Sequence, residues 1–255
     1  MDRNSEARIQ HKLAAKPEVQ HQLRRLTIRR VLIAWGLIVA STLFLLWLPP
    51  ASRRSLLASL FANRLLIMLL LVFGLTVISL LWSVGQRLDV WVFTTLNLRG
   101  YHAIWLDRTM WLATQLGSAV FAALLAGVAY ALGYRRFAVD MVLGSLTLWL
   151  LVTLLKVFTD RARPFNLLRE TRVVGWRVPS LSFPSGHSAQ TFFVITAAIG
   201  HFQLPLGAAL GLYASGVLVA FTRIYLGVHY PRDVLAGAVL GLIWGIWGPL
   251  VMPYL

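Results

Sequence analysis

Long apolar runs separated by short polar connections dominate this chain. Seven of these runs approach the roughly 20 residues that a helix needs to cross a bilayer. Backbone polar groups in lipid must be satisfied within each segment, so we predict that all seven are helices. The pattern therefore predicts an all-α, polytopic membrane helix bundle with about six or seven transmembrane helices. The segments are 31–49, 65–84, 112–132, 138–158, 186–202, 205–222 and 234–252.

Polar segments divide this pattern. Residues 1–30 form a basic tail with eight Lys or Arg and three acids, and 159–185 is the longest polar stretch after it. A loop of that length between compact helices is often functional. Residues 85–111 are predicted to be a second polar connection. We therefore divide the chain into the tail 1–30, N-terminal transmembrane helices over 31–84 and a core helical bundle over 85–255.

Composition supports the membrane assignment. The chain is 58% hydrophobic and only 13% charged, whereas soluble domains carry about 25% charged residues. The net charge of +15 is mostly arginine, which beside membrane helices contacts anionic headgroups and sets orientation. We therefore expect the bilayer as a partner and no nucleic acid. The absence of cysteine excludes disulfides and thiolate metal sites.

A first group of cationic residues lies at the end of the fourth apolar segment. Lys156 is the only lysine after residue 16, and Arg163 follows seven residues later. If the helix continues to Arg163, the two side chains point to one side, and Pro164 ends the helix. Lysine and arginine are phosphate ligands. Alternatively, both side chains extend to the interface. Arg161, between them, either contacts a substrate or is solvated.

A second group precedes the fifth apolar segment. Ser185 can cap the helix, and Gly186 lets the backbone approach a ligand closely. The free amides of a helix start favour an anion, and His187 in the first turn would face it as a general acid. The alternative is an ordinary capped helix.

A third group joins the last two apolar segments. Asp233 lies four residues after His229 and can accept a hydrogen bond from one ring nitrogen, leaving the other free to attack. Arg223 ends the preceding segment. Asp233 is alternatively only a helix cap. With alternating crossings, the loops 159–185 and 223–233 emerge at the same membrane face, so all three groups can form one site.

The three groups together resemble the signature of the type 2 phosphatidic acid phosphatase family, whose superfamily includes vanadium haloperoxidases and bacterial acid phosphatases. The resemblance covers about 85–252, with Thr222 where the family usually has Ser. It implies a catalytic set, with His229 as the nucleophile that forms a phosphohistidine, Asp233 orienting it and His187 as acid and base. It implies a phosphate-binding set of Lys156, Arg163, Ser185, Gly186 and Arg223. It implies no metal or cofactor.

The expected activity is metal-independent hydrolysis of a phosphomonoester or pyrophosphate on a lipid. Two alternatives stay open, a lipid phosphotransferase with the same site and a transporter or binder of anionic lipids. The basic tail predicts a cytoplasmic N-terminus, which with seven crossings would put the site in the cytoplasm. Bacterial members of the family typically carry the site on the outer face. We therefore expect a multi-pass protein of the cell membrane with an extracytoplasmic site, and the sequence leaves the oligomeric state open.

Overall fold

The computed structural model describes residues 62–168, 170–177 and 180–251, together with isolated positions between 36 and 58. Residues from 62 onward belong to one compact unit. The described chain is helical and contains no strand, which confirms the predicted all-α bundle. Its helices are α1 (Arg64–Ser79), α2 (Ser83–Asn97), α3 (Ile104–Thr114), α4 (Ala119–Ala131), α5 (Arg135–Thr159), α6 (Pro164–Leu167), α7 (Gly186–Phe202), α8 (Leu206–Tyr225) and α9 (Pro231–Val251).

The number of membrane crossings depends on how bent helix pairs are counted. In the described part, the stretches Arg135–Leu167 and Leu206–Tyr225 are long and apolar enough to cross a bilayer. The count rises to four if two bent pairs are each one span, α1 with α2 at 95° and α3 with α4 at 56°. The predicted segment 31–49 lies almost wholly outside the described residues. The division of the chain at residues 30 and 84 stays a prediction.

Helix α7 lies at the centre of the bundle and packs most closely against α9. A Cβ on Gly241 would lie 2.3 Å from the Ala189 carbonyl oxygen, and one on Gly237 would lie 2.4 Å from that of Ser185. Glycine at every fourth position therefore lets the two backbones touch, as small residues do between membrane helices. On the other side of α7, the Phe193 ring fills the space beside Gly144 of α5.

The helix ends near the loop 160–185 differ from the sequence prediction. Helix α5 does not continue to Arg163, because Asp160 has a left-handed conformation with φ of 47°. Pro164 does not end that helix but begins the short helix α6, where its fixed φ suits the first position. The predicted polar connection 85–111 is also wrong in part, because it contains most of α2 and much of α3.

Helix α2 has one buried polar face and one exposed apolar face. Asp89 and Asn97 are 3% and 0% exposed, whereas Leu88 and Trp91 are 58% and 64% exposed. These two faces follow from residue spacing, since positions three or four apart share one side of a helix. The sequence pattern of α2 is therefore amphipathic, with Asp89 and Asn97 buried in the protein. The exposed polar residues of α2 are Ser83, Arg87 and Thr95.

Replacement of Gly241 by alanine should separate α7 from α9. The added methyl group would meet a backbone carbonyl that cannot rotate away, and such overpacking costs about 1–3 kcal/mol. We expect the unfolding midpoint in detergent to fall by about 2–10 °C. Gly211→Ala on α8 is the control, because no atom lies within 4 Å of its added Cβ. Equal midpoints for the two variants would contradict this description of the α7–α9 contact.

Candidate active site

The three groups of residues predicted from the sequence meet at one end of the bundle. Main-chain hydrogen bonds connect them. The Ser185 amide donates to the Asp233 carbonyl oxygen at 2.9 Å, and the His229 amide donates to the Arg223 carbonyl oxygen at 3.2 Å. The Ser182 amide donates to the Arg161 carbonyl oxygen at 2.7 Å. The start of α7, the end of α8, the start of α9 and the loop after α5 are therefore held together.

Arg163 is 3% exposed and reaches the site from the loop after α5. Its Nε donates to the Ser180 carbonyl oxygen at 2.8 Å, and its Nη1 donates to the Val228 carbonyl oxygen at 3.0 Å. The same Nη1 lies 3.4 Å from Nε2 of His229. The guanidinium group is thus fixed by backbone acceptors, with one edge beside the imidazole.

The His229 ring is almost fully buried, with its two nitrogens in different surroundings. Nε2 faces Arg163, whereas Nδ1 lies 3.4 Å from the Ser182 hydroxyl and 3.7 Å from Oδ2 of Asp233. The second distance is longer than a hydrogen bond. Ser182 donates to the same Oδ2 at 2.5 Å, so its hydroxyl lies beside both the carboxylate and the ring.

Burial lowers the pKa of His229 well below its usual range, and the positive charges of Arg163, Arg223 and Lys156 lower it further. The imidazole is therefore neutral near pH 7. A neutral ring carries a lone pair on one nitrogen, as a nucleophile requires.

Ser185, Gly186 and His187 form the start of α7. The Ser185 side chain caps the helix by accepting from the Ser188 amide at 3.5 Å and from the Ser188 hydroxyl at 3.0 Å. His187 is partly buried and packs against the turn at Gly117, where an added Cβ would lie 2.8 Å from the His187 carbonyl oxygen and 3.1 Å from its Cβ. Burial lowers the pKa of His187, and the positive charge of Arg223 lowers it further, which is consistent with a position near the cluster of cations.

Arg223 and Lys156 complete the group of cations. Arg223 is 8% exposed, and its Nη1 donates to the Thr114 hydroxyl at 2.7 Å. Its buried Nε has no hydrogen-bond partner among the described residues. Lys156 is partly buried in the last turn of α5. Among the described residues, Thr222 uses its hydroxyl within its own helix, donating to the Val219 carbonyl oxygen at 2.6 Å.

Sequence reasoning missed several residues around this cluster. Arg161 is not solvated, because it forms ion pairs with Asp233 and Asp89. Ser182 bonds Asp233, and Thr114 bonds Arg223. The only sequence signal for Asp89 was a carboxylate within a mostly apolar chain, and Thr114 had no signal because hydroxyl residues are common in membrane helices.

A second polar cluster fastens the loop 160–185 to the bundle. The buried Asn97 side chain donates to the carbonyl oxygens of Arg172 and Tyr225 at 2.9 and 2.8 Å. Arg172 binds both carboxylate oxygens of Asp107, which also accepts from the Tyr225 hydroxyl at 2.7 Å. Asp107, to which the sequence pattern assigned no role, thus helps to hold the loop against the bundle.

The described residues offer no group of three His, Asp or Glu side chains placed to hold a metal ion. The two buried carboxylates near the site, Asp89 and Asp233, are each bound by arginine. The polar atoms that line the cluster are therefore mainly donors, which suits an anionic ligand.

Comparison with known proteins agrees with this geometry. The model of the PAP2 superfamily matches residues 137–255. Phosphatidylglycerophosphatase B of Bacillus subtilis is 32% identical over 154 residues, which cover 54% of this chain and 71% of that protein. The chain belongs to the PAP2 superfamily. The matched residues include every residue of the predicted site.

Further PAP2 relatives act on phosphorylated lipids. An undecaprenyl-diphosphatase of Sulfolobus acidocaldarius is 32% identical over 111 residues, which cover 42% of this chain and 51% of that protein. The crystal structure of the transmembrane PAP2 type phosphatidylglycerolphosphate phosphatase from Bacillus subtilis superposes with a TM-score of 0.62. It is 28% identical and covers 72% of this chain and 94% of its own. This protein is therefore a member of the PAP2 superfamily whose relatives include transmembrane phosphatases.

Replacement of Lys156 by methionine should weaken the binding of inorganic phosphate. Methionine keeps most of the length of the side chain but removes its charge, and a hydrogen bond to a charged group contributes about 1.5–3 kcal/mol. We expect the dissociation constant, measured by titration calorimetry of the purified protein, to rise about 10- to 100-fold. Arg136→Gln, at the other end of α5, is the control. Unchanged phosphate binding by Lys156→Met would show that Lys156 is not part of the anion site.

Proposed function

We propose that this protein removes a phosphoryl group from a phosphorylated lipid by transferring it first to Nε2 of His229 and then to water. The observation that carries this proposal is the orientation of the His229 ring. Its Nε2 faces Arg163, whereas its Nδ1 faces Ser182 and Asp233. A proton on Nδ1 leaves the Nε2 lone pair directed towards a phosphate held beside that arginine.

The phosphate group would lie among Lys156, Arg163 and Arg223 and at the start of α7. The amide of Gly186 lies in the first turn of α7, where a helix N-terminus favours negative charge, whereas the Ser185 amide already donates to the Asp233 carbonyl oxygen. Arg163 is already fixed by Ser180 and Val228, so little reorganisation is needed when charge develops on the phosphoryl oxygens. This supports a role in binding the transition state more tightly than the substrate.

The first chemical step forms a bond from His229 Nε2 to phosphorus and breaks the bond from phosphorus to the leaving lipid oxygen. His187, at the start of α7, would give its proton to that oxygen. Burial and the nearby cations lower the pKa of His187 in the free site, so this role requires the bound phosphate anion to raise that pKa again. Asp233, directly or through the Ser182 hydroxyl, would stabilise the positive charge that the phosphorylated imidazole carries. These roles need a neutral His229 before attack, which agrees with its lowered pKa.

The second step reverses these roles. His187, now neutral, would take a proton from a water molecule that attacks the phosphohistidine. Phosphate leaves, and His229 returns to its neutral form. The charges that Mg²⁺ supplies in many phosphoryl transfers would here come from lysine and arginine, so we propose a metal-independent reaction.

A lipid substrate agrees with the position of the site at the ends of apolar helices. Related proteins named as an undecaprenyl-diphosphatase and a phosphatidylglycerophosphatase support a lipid monoester or pyrophosphate as the substrate class. Phosphatidic acid, phosphatidylglycerophosphate, a polyprenyl pyrophosphate and lipid A phosphates are the substrates to compare. Residues 85–255 would form the phosphatase core.

Phosphate release from this lipid panel by purified His229→Ala tests the proposal. We expect phosphate release by His229→Ala to fall about 10⁴-fold or more below that of wild type, because the nucleophile is lost. Release by the wild-type protein should persist in EDTA. His201→Gln, at the far end of α7, should keep activity. Activity of folded His229→Ala, or loss in EDTA that added metal restores, would contradict the mechanism. A phosphorylated acceptor lipid without free phosphate would identify a phosphotransferase, and binding without turnover a transporter or binder.

We propose that the site faces the extracytoplasmic side of the cell membrane. The chain lacks cysteine, so single cysteines can be labelled without background. Trp176 is 89% exposed in the loop beside the site, and Leu132 is 69% exposed in the turn at the other end of α5. A membrane-impermeant maleimide should label Trp176→Cys in intact cells and Leu132→Cys only after permeabilisation. The reverse pattern would place the site in the cytoplasm.

A further inference from the structure

A line of four buried charges leads away from the proposed site into helix α2. Arg161 binds Oδ1 of Asp233 through Nη1 at 2.6 Å. Its Nη2 binds Asp89 and also donates to Oε1 of Gln86 at 2.8 Å. Arg232 binds the same Asp89 carboxylate through Nε at 2.6 Å. Positive and negative groups therefore alternate in the order Asp233, Arg161, Asp89 and Arg232.

The Asp233 carboxylate has no freedom to rotate within this arrangement. Arg161 occupies Oδ1, while the Ser182 hydroxyl and the Tyr230 amide both donate to Oδ2, at 2.5 and 2.8 Å. Oδ2 is the oxygen that faces the His229 ring. Without Arg161, one oxygen of a fully buried carboxylate would lose its charged partner, and the group could turn away from the ring.

We propose that Arg161 is a positioning residue for phosphoryl transfer, which holds the Asp233 carboxylate towards His229 and is itself held by Asp89 of α2. This inference rests on the proposed role of His229 as the nucleophile. Arg161 acts through Asp233, which it contacts on the side away from the imidazole. Its guanidinium plane also lies over the Tyr230 ring, with Cζ 4.5 Å from the ring centroid, which restricts its movement.

Arg232 provides a matched comparison within the same network. It binds Asp89 and also donates to the Ser79 carbonyl oxygen at 2.5 Å, but among the described contacts it makes none with Asp233. Both arginines are partly buried ion-pair partners of one carboxylate. Loss of either should lower stability, whereas only loss of Arg161 should disturb the reaction.

The charged surroundings of the His229–Asp233 pair come from five elements. The charged groups are Lys156 on α5, Arg161 and Arg163 in the following loop, His187 on α7, Arg223 on α8 and, beyond Arg161, Asp89 on α2. The pH dependence of the reaction must therefore be compared among variants that change only one of these groups.

Steady-state kinetics of Arg161→Gln and Arg232→Gln test the inference. We expect kcat of Arg161→Gln to fall about 100-fold with KM changed less than about threefold, because the residue positions a catalytic group and does not bind substrate. Removing the positive charge of Arg161 should also move the acid limb of the kcat/KM profile to higher pH, because a nearby cation disfavours the protonated form of His229. Arg232→Gln should keep kcat within about twofold and the same pH limb.

A second variant distinguishes an effect on positioning from a loss of folding. Arg161→Lys keeps the charge but cannot form the two-sided contact of a guanidinium group, so its kcat should fall between those of wild type and Arg161→Gln. Equal kcat values for the Arg161 and Arg232 variants, or a change confined to KM, would overturn the inference. His229→Ala in the same assay separates the two proposals, since its full activity would instead reject the proposed nucleophile.

Discussion

The buried Asp233 carboxylate is the point at which the parts of this protein meet. A buried charge is costly unless it is paired and hydrogen-bonded, so its surroundings must be complete. Arg161 from the loop, Ser182 before α7 and the Tyr230 amide before α9 supply those partners. The Asp233 carbonyl oxygen also accepts from the Ser185 amide. One residue thus fixes the relative position of the loop, α7 and α9.

Positively charged side chains also lie close to one another near this carboxylate. Lys156, Arg163 and Arg223 face the two imidazoles, and positive charges at close range repel one another. Arg163 and Arg223 are held by neutral acceptors, the Val228 carbonyl oxygen and the Thr114 hydroxyl, which do not cancel their charge. Such a site gains most from binding an anion, because the ligand supplies the missing negative charge.

The sequence predicted the class of fold correctly, and the residues proposed for the site come from helix ends that meet in the structure, but the local geometry differs from the prediction. Apolar length gave helices close to α5, α7, α8 and α9, since a bilayer imposes a minimum span. Arg163 was expected to reach Lys156 along one helix. It arrives instead from a loop after the left-handed turn at Asp160. Single-residue backbone conformations of this kind leave little trace in an apolar pattern.

The amino-acid order by itself determined that the chain forms membrane helices and that imidazoles, guanidinium groups and a carboxylate follow their ends. These features depend on local spacing and on transfer of apolar surface out of water. Only the tertiary structure decided that Asp89 and Gln86 of α2 lie against Arg161 and that the Ser182 hydroxyl lies beside both Asp233 and His229. Those contacts join residues far apart in the chain, and they exist because buried polar groups must find partners wherever helix packing brings them.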